Sequence, residues 1–239
     1  MKCDLCFVPG ELPDPYSRTL TVVVDVLRTC TSLTVALQSG AEMVIPAESI
    51  EAATGLIAML DRDYAVLAGE KDGAKVEGFD FGNSPGDFRD PAIAGKTIVF
   101  TSTNGAGLLA RDAGHHEQLL LSFINAAAVA ANLAARREEQ ITIVCAGKRG
   151  RFSLEDAVCG GLLCHRLATL DPTTSFNDGA AAARVLYRQH ERDLLAMLRG
   201  SAHGRFLMEM GLEADLLEAS RLDTVNLVPV VRDGRITRT

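Results

Sequence analysis

Three acidic residues and one polar, glycine-containing loop stand out as groups that can do chemistry. From Ile98 to Leu109 the chain reads IVFTSTNGAGLL: an apolar strand pattern, then Thr101, Ser102, Thr103 and Asn104, then Gly105 and Gly107, then apolar residues at helical spacing. A buried strand that leads into a helix beginning near Ala106 presents free backbone N–H groups and the positive end of a helix dipole, both of which favour an anion. Gly105 and Gly107 let the backbone approach closely, and the hydroxyls and Asn104 can add hydrogen bonds. A phosphate or sulfonate suits this cradle, although the STN run also suits ordinary helix capping.

Asp25, Glu70 and Asp156 can supply oxygen ligands to a hard cation. Mg2+ is the expected ion beside a phosphate, because it keeps several waters and shares ligands with substrate oxygens. Each carboxylate also has a structural reading. Asp156 follows Ser153 at capping-box spacing in SLED; Asp25 closes a run of β-formers where a turn is easy to explain; Glu70 can pair with Lys71 or Arg28 in solvent. The loop GFDFGNSPGDF, Gly78 to Phe88, reads either as a folded surface loop or as a lid or wall contributing Asn83 and Ser84. KRGR, Lys148 to Arg151, fits a small anion site. His203 and Arg205 fall at a helix start and His115 and His116 between a helix and a strand, where structural and solvated roles are expected.

The elements that position these residues follow from periodicity. Short β-branched runs (LTVVVDV, MVIP, YAVLAGE, KTIVF, QLLLSFI, ITIVCAG) alternate with helical patterns up to Ser153, after which the chain becomes mostly helical and closes on NLVPVVRDGRIT, with a hairpin expected at Asp233-Gly234. The order predicts an α/β layered fold with a largely parallel sheet in one domain spanning residues 1–239. The near-continuous apolar character of TVVV and ITIVC predicts strands covered on both faces. Ligands of open α/β sheets bind outside the carboxyl ends of strands. Those ends carry Asp25 and Arg28, Glu70 and Lys71, Thr101 to Asn104, and Lys148, Arg149 and Arg151 followed by Ser153, Glu155 and Asp156.

Composition excludes several classes. A net charge of −7 without a basic block speaks against a nucleic-acid surface. No apolar run reaches the ~20 residues needed to span a bilayer, and the start MKCDLCFVPGELPDPYS lacks a signal-peptide pattern, so a cytoplasmic location is expected. The six cysteines are then expected as free thiols, with Cys3 and Cys6 at strand positions rather than in a zinc or redox site.

Taken together, DVLRTCTS (Asp25 to Ser32), AGEKDGAKVEGFDFGNSP (Ala68 to Pro85), TSTNGAG (Thr101 to Gly107), CAGKRGRFSLEDAVCGG (Cys145 to Gly161) and SAHGRFL (Ser201 to Leu207) resemble the 2-phosphosulfolactate phosphatases of the coenzyme M pathway, in family order over nearly the whole chain. The resemblance implies a Mg2+-dependent hydrolase that converts 2-phospho-3-sulfolactate to 3-sulfolactate on a three-layer α/β/α fold peculiar to that family, with a largely parallel or mixed sheet. It would make Asp25, Glu70 and Asp156 metal-site or catalytic carboxylates. Chemistry laid on the matching motifs has Arg28 and Lys71 facing substrate anions, Ser102, Thr103, Asn104 and Gly105 holding the phosphate, Asn83 in the substrate wall, and Arg151 and Ser153 lining the sulfonate or carboxylate end. KRGR and RTC depart from the expected pattern, so a phosphatase of another small phosphorylated acid and a non-catalytic binder of an anionic metabolite remain alternatives. Direct water attack is the expected route. Attack by Asp25 is its rival, without the D-x-D pattern of aspartyl phosphatases. A homo-oligomer that binds neither nucleic acid nor membrane is the expected assembly.

Overall fold

Every strand run named above becomes a strand. In the computed structural model, which describes residues 1–12, 20–111, 117–136 and 138–239, these are β1 (Lys2–Cys6), β2 (Leu20–Val24), β3 (Met43–Pro46), β4 (Ala65–Lys71), β5 (Ala74–Lys75), β6 (Thr97–Thr101), β7 (Gln118–Leu121), β8 (Gln140–Cys145), β9 (Ser175–Phe176), β10 (Pro229–Arg232) and β11 (Arg235–Arg238). The helices are α1 (Thr29–Gln38), α2 (Ile50–Ile57), α3 (Gly105–Arg111), α4 (Ala126–Arg136), α5 (Leu154–Leu170), α6 (Asp178–His190), α7 (Leu194–Gly200), α8 (Ala202–Glu209) and α9 (Glu213–Ala219). Val22, Val23 and Val24 in β2 are fully buried, each contributing about 1.5–3 kcal/mol relative to exposure.

All strands join one sheet in the order β5-β4-β6-β3-β11-β10-β7-β2-β8-β1-β9. It contains two parallel blocks: β4, β6 and β3 in one, and β7, β2, β8, β1 and β9 in the other. The C-terminal hairpin lies between them. β10 is antiparallel to β7 and to β11, and β11 is antiparallel to β3, so the two blocks run in opposite senses. The sheet is therefore mixed, and a single rim of strand ends cannot come from pairing alone.

The two blocks meet across α1, whose Cys30, Leu33, Val35 and Leu37 share one core with Val23, Leu120 and Val144 from one block and Val44, Ile98 and Phe100 from the other. A usual twist of roughly 20–25° per strand step over the five steps from β2 to β6 turns opposed blocks toward each other by about 100–125°. Nine of the ten α1 residues are buried, and its hydroxyls survive burial because each is bonded: Thr31 Oγ1 donates to Val26 O (2.7 Å), Ser32 Oγ to Asn83 O (2.7 Å) and Thr34 Oγ1 to Cys30 O (2.6 Å). On the outer faces a second core packs α4, α5 and α6 against β1, β2 and β8, and a small third core seats α2 on β4 and β6. The layers are helix, sheet and helix. The six cysteines are free and buried.

Candidate active site

The carboxyl ends of β2, β4, β6 and β8 converge on a pocket at the N-terminus of α1. One block supplies Asp25, Arg28, Thr29, Lys148 and Arg149; the other supplies Glu70, Asp72, Gly73, Thr103 and Asn104. Asn83 from the 78–88 loop and His203 and Phe206 from α8 close the wall.

Asp25 is 3% exposed. Burial lifts its carboxyl to about 6, opposed by a hydrogen bond from Thr29 and by the nearby His203, and reinforced by the charges of Glu70 and Glu155. A Cβ built on Gly105 would stand 2.3 Å from Asp25 Oδ2 and 2.7 Å from Thr29 Oγ1. Gly105 is thus needed so that the loop after β6 can close on Asp25.

The expected anion loop is turned largely to internal bonding. Glu70 Oε1 accepts the Thr103 N–H (2.7 Å), and Glu70 Oε2 accepts the Gly73 N–H (2.6 Å) and the Thr103 hydroxyl (3.0 Å). Ser102 Oγ accepts the Ala106 N–H (3.0 Å), which is helix capping, and lies 3.2 Å from Thr29 Oγ1. Asn104 Oδ1 accepts the Arg149 N–H (2.9 Å). α3 begins at Gly105, one residue before the expected start. Of the four residues expected to hold phosphate, Thr103 and Asn104 line the pocket, while Ser102 caps the helix and Gly105 makes room for Asp25.

Asp156 is a brace. Its Oδ1 accepts the Val26 N–H (2.9 Å) and its Oδ2 the Gly147 N–H (3.1 Å), and its own N–H is capped by Ser153 Oγ (3.4 Å). It ties the loop after β2 to the loop after β8 and does not reach the pocket lining. Burial, then the charges of Asp25 and Glu155, push its carboxyl well above the usual range. Among the described residues no three His, Cys, Asp or Glu side chains stand together as a ready metal cage, so the expected set of Asp25, Glu70 and Asp156 is not gathered. Lys71 and Arg151 are exposed and outside the lining.

KRGR forms a tight turn. Lys148 N donates to Arg151 O (2.9 Å) and Arg151 N to Lys148 O (3.1 Å), with positive φ at Arg149 (51°) and Gly150 (73°), as in a type I′ turn. The turn leaves Lys148 in the pocket wall, its Nζ 3.9 Å from the centroid of the Phe206 ring. Arg149 bridges to Asp72 across the pocket mouth. Arg28 is 5% exposed and held on three sides: NH1 by Asp215 Oδ2 (2.9 Å) and Ser84 Oγ (3.4 Å), NH2 by Gly73 O (2.7 Å). Burial raises the Asp215 carboxyl, with the bonds from Arg28 and Ser84 opposing.

Two groups carry more weight than their sequence context suggested. His203 lines the pocket, its Nδ1 3.4 Å from Glu155 Oε1. Burial alone would raise the Glu155 carboxyl, but the hydrogen bond and charge of His203 hold it below the ordinary value. The Glu155 signal, adjacent to Asp156 on a helix start, was present in SLED; its partner 48 residues onward was not. Asn83 is 3% exposed, and its Oδ1 has no partner among the described residues. A buried acceptor in a pocket wall without a donor points to a ligand. Arg205 turns away to Gly200 O, and His115 and His116 lie outside the described residues.

The family model for 2-phosphosulpholactate phosphatase matches residues 6–234. The chain belongs to the 2-phosphosulpholactate phosphatase family. Members similar to it include three proteins named as probable 2-phosphosulfolactate phosphatases. The one from Synechococcus sp. is 38% identical over all of this chain and 99% of its own; that from Caldanaerobacter subterraneus is 37% identical over 91% of this chain and 89% of its own; that from Symbiobacterium thermophilum is 36% identical over 91% and 93%. The match spans both blocks of the sheet and every wall of the pocket. No helix among the described residues is long and apolar enough to cross a membrane.

Proposed function

We propose that the protein is a Mg2+-dependent phosphatase that hydrolyses 2-phospho-3-sulfolactate to 3-sulfolactate and phosphate in this pocket. The observation that carries the reading is the composition of the lining in a chain of this family: hard oxygen donors, Asn83 Oδ1 and the Asp25 carboxylate, share one pocket with Arg28, Lys148, Arg149 and His203. A metal suits the charge balance as well. The carboxylates of Asp25, Glu70 and Asp72 offset the three basic side chains, so a substrate bearing phosphate, carboxylate and sulfonate charges calls for further positive charge. Mg2+ commonly uses only one or two protein carboxylates besides waters and substrate phosphate. Asp25 and Asn83 fit that pattern. Glu70 and Asp156, each already holding two backbone N–H groups, fit it less well. When bound, the ion would neutralise charge on the phosphoryl oxygens.

The chain's own groups divide the remaining work. Arg28, fixed by Asp215 and Gly73, still has N–H groups for a substrate oxygen, and Asn104, whose Oδ1 is taken by Arg149, keeps its amide N–H groups for another. Asp25 accepts no backbone N–H in the described hydrogen-bond network and is the carboxylate left to orient the attacking water. His203, with Nδ1 facing Glu155, keeps Nε2 to protonate the leaving oxygen. The bond from phosphorus to the substrate oxygen breaks as that from phosphorus to water forms; one water proton stays on the phosphate released, and the other passes to Asp25 and through solvent back to His203.

The test is phosphate release from a panel of small phosphorylated acids, with Mg2+ and with chelator. Mg2+-dependent release with phosphosulfolactate turned over best is expected. Metal-independent release would remove the cation from the reading; tight binding of phosphate analogues with no release from any ester would make the chain an anion binder.

A further inference from the structure

The basic groups of the pocket are not equivalent. Arg28 is paired with Asp215, Arg149 with Asp72, and His203 with Glu155. Lys148 alone of these lies in no ion pair among the described residues. Its backbone is locked at both N and O by the turn to Arg151, and its ammonium rests on the face of Phe206, a cation–π contact. Phe206 and His203 stand three residues apart on α8, one helical turn that places both in the pocket wall. A half-buried, unpaired cation held against an aromatic face is a preset counter-charge for an anion.

We infer that Lys148, seated on Phe206, is the specificity-determining residue for the sulfonate of the substrate. This rests on the phosphatase reading above and places the sulfonate end at Lys148 instead of Arg151 and Ser153: Arg151 is exposed outside the pocket, and Ser153 caps α5. The phosphate belongs at the other end, with Arg28, the amide N–H groups of Asn104 and the cation that Asp25 and Asn83 would hold. A sulfonate is a permanently charged, weakly basic anion and a poor competitor for a hard cation, so an unpaired ammonium with an apolar neighbour matches it. Without Lys148 the pocket would retain the phosphate contacts and lose its discrimination for a sulfonated substrate.

Three esters separate the anionic groups: 2-phosphosulfolactate, 2-phospholactate, which lacks the sulfonate, and 2-(phosphooxy)ethanesulfonate, which lacks the carboxylate. In Lys148→Met the kcat/KM preference for phosphosulfolactate over phospholactate should fall at least about tenfold, the scale of a lost hydrogen bond to a charged group, and the ethanesulfonate ester should fall along with phosphosulfolactate. Phe206→Leu, which keeps the cation but removes its seat, should shift the same preference in the same direction by a smaller factor. A fall confined to the two carboxylate-bearing esters would assign Lys148 to the carboxylate, and an equal fall on all three would assign it to the phosphate; either overturns the inference. Wild-type protein that releases phosphate from none of the three would overturn the phosphatase reading itself and this assignment with it, an outcome distinct from a changed preference.

Discussion

Replacing Asp25 with Asn should stabilise the metal-free protein while abolishing turnover. Asp25 is buried, and its carboxyl is lifted from 3.8 to about 6. The folded state therefore holds the Asp25 proton more tightly than the unfolded state, and ionising it on folding is unfavourable. That penalty is absent below pH 3.8, grows as pH rises through the window up to 6, and is complete above it. At 1.36 kcal/mol per pKa unit it amounts to about 3 kcal/mol at pH 7 and about 1 kcal/mol at pH 4.5. Asn keeps the Thr29 hydrogen bond and carries no charge, so it escapes the penalty. Losing the Asp25 charge also relieves the buried Asp156 carboxyl, which Asp25 pushes up, and this acts in the same direction. The assay is urea unfolding of both proteins in chelator across that range, read as the difference in midpoint at equal slope. A wild-type-to-variant difference that stays flat between pH 4.5 and 7, or a variant less stable at pH 7, would refute the placement of an ionised, desolvated carboxylate at this position.

Four further outcomes can be checked separately. Gly105→Ala drives a Cβ to within 2.3 Å of Asp25 Oδ2 and should cost about 1–3 kcal/mol in melting experiments and roughly 100-fold in kcat through displacement of Asp25; a fully active variant would show that the loop and Asp25 need not be so close. Asp215→Ala leaves the buried Arg28 unpaired, a loss of about 3–5 kcal/mol, visible as a fall in Tm of about 10 °C for a chain of this size. Asp156→Ala strands the N–H groups of Val26 and Gly147 at about 1–3 kcal/mol each, and added Mg2+ should not restore its Tm if Asp156 is a brace. Asp72→Asn breaks an exposed bridge to Arg149 and should change stability by less than about 1 kcal/mol.

The strands of this fold are legible because burial on both faces leaves near-continuous apolar runs, as at Val22 to Val24 and, broken only by Thr142, at Ile141 to Val144, and the closing hairpin is legible because Asp233 and Gly234 both adopt the positive φ their residue types favour. The opposed running of the two blocks is not legible. It depends on β11 pairing with β3 through Ile236 and Val44, a contact between distant residues that leaves no local trace. The pocket divides in the same way. Asp25, Arg28, Asn83, Thr103 and Asn104 follow strands or a glycine-rich loop and declare themselves by type and place. Asp156 and Glu70 declare the right chemistry, yet their oxygens are occupied by backbone N–H groups, a distinction only geometry makes. Lys71 misleads because alternation in β4 sends it outward while the next turn, Asp72-Gly73, reaches the pocket. His203 reads as an ordinary helix-start histidine until α8 docks against Glu155.

The hairpin that joins the two blocks also dictates a schedule. Both parallel blocks leave the ribosome before residues 229–238 do, and β3 must wait for a strand made nearly the whole chain later. Such non-local closure is slow relative to helix and hairpin formation. Until it happens, the edges of β3 and β7 are unpaired and open to association with other chains. Since the pocket draws walls from both blocks, hydrolytic competence should appear only with that last closure, as a late step distinguishable in refolding from the earlier gain of helix.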